Sequence, residues 1–232
     1  MNHSSPTGSF RAVLLDLDGT LMDTIPDIAA AANAMRVDLG LSMLHVDIIR
    51  SFVGKGTDNL IMRALSHDLG AETVTPELFE KGRAAFYPHY HEVNGQHSVV
   101  YPGVREGLRL LMDRGLKLGV VTNKPTEFTL PLLRQAGLLQ NMQAVVCGDT
   151  LPRRKPLPDP MLHACNMLNV APTEAVAIGD SINDALSARA AGCAVLAVPY
   201  GYNEGLDVQD LDVDAIVSDI EEAAQWIVSR LP

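Results

Sequence analysis

Asp16 and Asp18 stand two residues apart in Asp16-Leu17-Asp18-Gly19-Thr20, at the end of the apolar run 13–17. In an extended strand such residues project the same way, so both carboxylates would face one pocket. That arrangement is costly unless a cation lies between the groups or one of them holds a proton. A turn accounts for Asp18-Gly19 but gives no reason for Asp16. Three further clusters follow. Val121-Thr122-Asn123-Lys124 ends an apolar run with a hydroxyl and an amide, both able to donate to phosphoryl oxygens, although a helix cap would use the same residues. Lys155-Pro156-Leu157-Pro158 holds a cation on a stiffened segment, a fixed point charge for an anion, or else a solvated lysine in a turn. Gly179-Asp180-Ser181-Ile182-Asn183-Asp184 puts carboxylates at a strand end and a helix start. They could share a hard cation such as Mg²⁺, which takes oxygen ligands, or simply cap the helix and complement its dipole.

Groups so placed need strands that end where the groups begin. Apolar runs at 13–17, 117–122, 144–147, 175–178 and 194–198 alternate with helical periodicities at 104–114, up to Gly137, at 160–168 and up to Gly192. A further short strand is read at 215–217 and a last helix near 220–230. Such alternation predicts βαβ units, a doubly wound parallel sheet covered on both faces, and a site at the carboxyl ends of its strands. Between the first two strands the pattern is helical throughout. Ile25, Ile28, Ala29, Ala32, Met35 and Leu39 fall on one helical face, with Thr24 expected as the cap and Pro26 in the first turn. More helices are read at about 45–52, at 57–69 and from Thr75-Pro76-Glu77, and no strand is expected within 24–96. The expected architecture is an α/β core domain (1–23 plus 98–232) with a helical cap domain (24–97) inserted after the first strand.

The chain has 232 residues and a net charge of -10. That charge opposes binding to nucleic acid or to an anionic membrane surface, while a small anionic substrate would need local positive charge. The three cysteines, Cys147, Cys165 and Cys193, have no CxxC spacing and read as buried thiols. Residues 1–9 read as a loose polar tail without a secretory h-region. The longest apolar runs fall far short of a membrane span. A cytoplasmic monomer or homodimer is expected.

With all four clusters at strand ends, the sequence resembles the haloacid-dehalogenase superfamily of phosphatases. Asp16-Leu17-Asp18-Gly19-Thr20-Leu21, Thr122, Lys155 and Gly179-Asp180-Ser181-x-Asn183-Asp184 match its four motifs, and the helical insertion is similar to its cap. The resemblance implies that Asp16 attacks phosphorus to form an aspartyl phosphate and that Asp18 acts as general acid and then base. It implies that Thr122 and Lys155 hold phosphoryl oxygens. Mg²⁺ would be held by Asp16, the Asp18 main-chain carbonyl and Asp180, with Asp184 and Asn183 in support. Gly19, Thr20 and Asn123 would line the substrate site.

Within the superfamily, Thr122-Asn123-Lys124-Pro125-Thr126, Lys155-Pro156-x-Pro158-Asp159-Pro160, Tyr200-Gly201-Tyr202 and Val53-Gly54-Lys55-Gly56 resemble the bacterial phosphoglycolate phosphatase branch. That branch implies 2-phosphoglycolate as substrate. Gly54 and Gly56 would let the cap backbone come close, and Lys55 would pair with the substrate carboxylate or else sit exposed in a turn. Arg153 and Arg154 add positive charge at the mouth or are solvated. Neighbouring branches act on sugar phosphates, amino-sugar acid phosphates or pyrophosphate. A sugar phosphomutase would share both aspartates, whereas a dehalogenase would lack Asp18. A receiver-like phospho-acceptor domain would be about half this length, and an inactive binding protein would not need every motif. The histidines, including His89 and His91, are read as surface groups.

Overall fold

The structure, a computed structural model, describes residues 10–232, so the expected tail at 1–9 lies outside the described residues. Six parallel strands form the central sheet in the order β5-β4-β1-β6-β7-β8. They are β1 (Ala12–Leu15), β4 (Lys117–Val121), β5 (Ala144–Val146), β6 (Ala175–Gly179), β7 (Ala194–Ala197) and β8 (Ala215–Ile216). The five longer strands are apolar and almost wholly buried, as strands covered on both faces must be. Helices α5 (Val104–Asp113), α6 (Thr126–Gln135) and α9 (Ile220–Val228) supply one face, where Leu108, Leu132 and Ile227 meet Val13 and Val120. Helices α7 (Asp159–Leu168) and α8 (Ile182–Ala191) cover the other, where Ala164 and Ala188 meet Leu14 and Ala177.

The order of strands fixes where a ligand can bind. β1 lies between β4 and β6, and successive connections leave it in opposite directions, which opens a crevice at its carboxyl end. Register brings the three strand ends level: Leu15 pairs with Val120 on one side and Ile178 on the other.

Between β1 and β4 lies a helical segment, α1 (Ile25–Asp38), α2 (Val46–Arg50), α3 (Thr57–Leu69) and α4 (Pro76–Val93), as the periodicity predicts. It has its own apolar cluster, with Met35, Ile49, Ile61, Leu65 and Phe86 at its centre. Core residues Phe128 and Tyr202 also pack into that cluster. The Phe128 ring lies 4.5 Å from Tyr90 and 5.2 Å from Tyr87.

Two elements differ from expectation. β2 (Met22–Asp23) and β3 (Val99–Val100) pair antiparallel where the chain enters and leaves the helical segment. Two-residue strands carry no periodicity, so nothing in the sequence marks them. Secondly, β1 stops at Leu15, one residue before Asp16. The Asp16–Thr20 stretch is a loop, and the alternation argument for a shared pocket does not apply to it.

Candidate active site

Asp16 leaves β1 with its N–H bonded to the Ile178 carbonyl at 3.0 Å, which holds it at the crevice. The Lys155 ammonium lies 2.8 Å from Asp16 Oδ1 and 2.6 Å from Asp184 Oδ1, and donates to the Val121 carbonyl at 2.8 Å. Asp16 Oδ1 is buried, and this ion pair is its one polar contact among the described residues. Burial opposes charge on Lys155, but Asp16 and Asp184 outweigh it and hold the ammonium firmly cationic. Asp184 uses its other oxygen at its own helix start, where Oδ2 accepts from the Ser181 N–H and hydroxyl. Asp184 therefore caps its helix with one oxygen and faces Lys155 with the other.

Asp180 ends β6 and accepts from the Thr20 hydroxyl at 2.8 Å and the Tyr202 N–H at 2.7 Å. Three glycines clear the space for these acids. A Cβ on Gly19 or Gly201 would come within 2.5 or 2.2 Å of Asp180 Oδ2, and one on Gly179 within 2.3 Å of Asp184. One oxygen each from Asp16, Asp180 and Asp184 lies within 4.8 Å of the others. Burial and the Asp184 charge push Asp180 up to about 7, and burial together with Asp184 raises Asp16 well above the usual carboxylate range. When all three acids are ionised they exceed the Lys155 ammonium by two negative charges, and no hydrogen bond besides the Lys155 ion pair reaches Asp16 Oδ1. That donor set fits a divalent hard cation. The Asp18 carboxylate is not among these oxygens.

Asp18 instead faces the helical side. Its Oδ1 accepts from the Thr24 hydroxyl at 2.6 Å and from Lys124 Nζ at 2.9 Å, and Lys124 also donates to the Tyr90 hydroxyl. Thr24 occupies the N-cap position of α1, but its hydroxyl makes no cap bond there. The expected cap is replaced by the tie to Asp18. Burial works against charge on Lys124, while Asp18 and Tyr90 raise its pKa and keep it cationic.

Asp16 and Asp18 open onto a cavity of about 40 Å³, walled by Thr122, Asn123 and Lys124 from the core and by Ile28, Gly54, Gly56, Leu60, Phe86 and Tyr90 among others from the helices. Asn123 bridges the two parts: its amide donates to the Gly54 carbonyl at 2.9 Å and the Lys155 carbonyl at 3.0 Å, and its oxygen accepts from Lys155 N–H. Those bonds use the side-chain groups assigned above to substrate. Lys55 is exposed and lies outside the cavity wall. Gly56 has φ 88°, and a Cβ there would meet Arg154 at 2.6 Å, so its small size accommodates that exposed side chain. Arg153 pairs with Asp159 at 3.1 Å. Asn183 is buried beside Asp184 on α8. His89 pairs with Asp38 and His91 with Glu127. Tyr90, Lys124, Gly201 and Tyr202 were not assigned site roles from sequence, and Thr24 was read only as a helix cap. Only the run Tyr200-Gly201-Tyr202 and the lysine following Thr122-Asn123 carried a signal.

A doubly wound core, a helical insertion and acids at the ends of β1 and β6 define a class, and the comparisons agree with it. The chain belongs to the haloacid dehalogenase-like hydrolase family, which matches residues 13–198. It is a phosphatase. A phosphoglycolate phosphatase of Nitrosospira multiformis is 48% identical over 217 residues, covering 94% of this chain and 95% of that protein. One from Chromobacterium violaceum is 47% identical over 91% of this chain and 94% of its own. A crystal structure of a predicted phosphoglycolate phosphatase from Haemophilus somnus 129PT superposes with a TM-score of 0.88 at 32% identity, covering 94% of this chain and 97% of that one.

Proposed function

We propose that the protein hydrolyses 2-phosphoglycolate to glycolate and inorganic phosphate through a phosphorylated Asp16. The observation that carries this is Asp16 at the crevice of β1, held beside Lys155 and facing a small cavity that Asp18 also lines. Asp16 attacks phosphorus, and as the new O–P bond forms the ester P–O bond breaks. Asp18 gives its proton to the leaving glycolate oxygen. In the second half Asp18 takes a proton from water, the water oxygen bonds to phosphorus, and the Asp16–P bond breaks to release phosphate. Lys155 and Thr122 hold the phosphoryl oxygens through both steps.

Asp16, Asp180 and the Asp18 main-chain carbonyl would hold Mg²⁺, with Asp184 fixing Lys155 beside it. The ion would lower the repulsion between the Asp16 carboxylate and the phosphoryl oxygens. Residues 24–97 act as a cap over a core formed by 10–23 and 98–232, and the cap excludes bulk water from the cavity. Three buried free thiols support a reducing, cytoplasmic setting, and among the described residues no helix is long and apolar enough to cross a membrane.

Phosphate release from 2-phosphoglycolate, beside sugar phosphates and pyrophosphate, with Mg²⁺ and with chelator, tests the proposal. The expected result is Mg²⁺-dependent release that favours 2-phosphoglycolate by at least about tenfold in kcat/KM. A preference for another phosphate would overturn the substrate, and metal-independent release would overturn the cation's part.

A further inference from the structure

Lys124 lines the cavity as its one cation among the described residues, and its side chain is almost wholly buried. An ammonium carries three N–H donors. One goes to Asp18 Oδ1 at 2.9 Å and one to the Tyr90 hydroxyl. The third has the cavity to point into. The cavity wall is apolar at Ile28, Val53, Leu60 and Phe86 and polar at Asp16, Thr57, Thr122 and Asn123. A charge-assisted bond formed there is stronger than it would be in water, and a substrate with nothing to accept it leaves a buried donor unpaired.

The position of this donor is set by the chemistry next to it. Asp18 must reach the oxygen that leaves phosphorus, roughly 3 Å away at proton transfer. Lys124 is one hydrogen bond further along, on the helical side. The substrate group nearest to Lys124 is therefore the one on the carbon that carries the ester oxygen. In a phosphate ester of a 2-hydroxy acid that group is a carboxylate. In a sugar phosphate it is a carbon or, for an anomeric phosphate, the uncharged ring oxygen, and never an anion.

We infer that Lys124, rather than Lys55, reads the substrate carboxylate, so that the enzyme selects short phosphate esters of 2-hydroxy acids. Tyr90 orients the ammonium from the cap side, so the reader is complete only when cap and core are together. The inference rests on the reaction proposed above and adds to it the residue that decides the substrate class.

The test compares 2-phosphoglycolate with 2-hydroxyethyl phosphate, an ester of the same length in which the carboxylate is replaced by an uncharged alcohol. Lys124→Met should lower kcat/KM for 2-phosphoglycolate about 100-fold more than for the alcohol ester, mostly through KM, and Lys124→Arg should restore part of the difference. Inhibition by inorganic phosphate should change little, which reports an intact phosphoryl site. Loss of both esters by the same factor would show that Lys124 acts only through Asp18 and would overturn the inference. Should Lys124→Met fail to fold, Lys55→Met decides the question: it must leave the preference for 2-phosphoglycolate over the alcohol ester unchanged, and loss of that preference overturns the inference. An unaltered enzyme that ignores 2-phosphoglycolate would refute the proposed substrate instead, a result separable from survival of selectivity in Lys124→Met.

Discussion

Asp180 shows how much of this site is made by residues with no side chain. Its carboxylate sits where a Cβ on Gly19 or Gly201 would be, and Gly19 also has φ 88°. Gly201→Ala tests the crowding alone, since its backbone is not in the left-handed region. The added methyl must displace Asp180, so the Mg²⁺ concentration for half-maximal activity should rise about tenfold or more, as read from a Mg²⁺ titration of phosphate release. An unchanged titration would remove Asp180 from the cation site. At this scale the sequence was informative about charged groups within motifs: Asp16, Asp18, Lys155, Asp180 and Asp184 do converge on one crevice. It was uninformative about partners brought in from elsewhere. Tyr202 reaches Asp180 from 22 residues along the chain, and Tyr90 reaches Lys124 from 34 residues away. No local pattern encodes such pairs.

The elements that carry these residues are joined by a few buried polar hubs. Asp27, fully buried at the start of α1, accepts from the N–H groups of Gly95, His97 and Ser98, at 2.9, 2.9 and 3.0 Å, and from the Ser98 hydroxyl. It thereby fixes the chain as it leaves α4 for β3, next to the ribbon of β2 and β3. Arg36, also fully buried, donates to the Ser42 carbonyl at 2.6 Å, to the Ala64 carbonyl and to Asp68, tying α1 to α3. Asp27→Ala would leave several buried donors unpaired, at a cost of about 3 kcal/mol or more. Asp38→Ala, on the same helix but exposed and paired only with His89, should change stability by less than about 1 kcal/mol. Urea unfolding of the two variants measures the contrast, and similar midpoints would contradict the hub. The helices of this segment could be read from apolar spacing, with α3 starting and ending at 57 and 69 as expected. The hubs could not, because a charged residue in an amphipathic pattern reads as the solvent face. The ribbon was missed because two residues are too few to show alternation.

For the whole molecule, the acid cluster links stability to pH and to metal. Burial and Asp184 raise Asp180 to about 7, above its unfolded value near 3.9. The folded state therefore binds more protons than the unfolded state between those values. The stability this contributes is complete below about pH 4 and is lost as pH rises through about 7. Asp16, raised in the same direction, adds to the trend. The metal-free protein should show a thermal midpoint that falls from pH 5 to pH 8 in the presence of chelator. Saturating Mg²⁺ should remove most of that fall, because the cation takes the place of the protons. Parallel curves with and without Mg²⁺ would mean that the ion binds elsewhere or not at all. The net charge of -10 sharpens the point: for a negative protein to bind an anionic substrate, the proposed contacts from Lys155, Lys124 and a cation would have to reverse the sign locally.

The account turns on covalent transfer to Asp16, and rapid acid quench of the enzyme during turnover, followed by mass spectrometry of the peptide that contains Asp16, tests it most directly. The predicted result is one added phosphoryl group on Asp16 in the unaltered enzyme. Asp16→Asn should keep its thermal midpoint within a few degrees yet carry no phosphoryl group and release no phosphate. Full phosphate release by Asp16→Asn, or a phosphoryl group found on another residue, would contradict it.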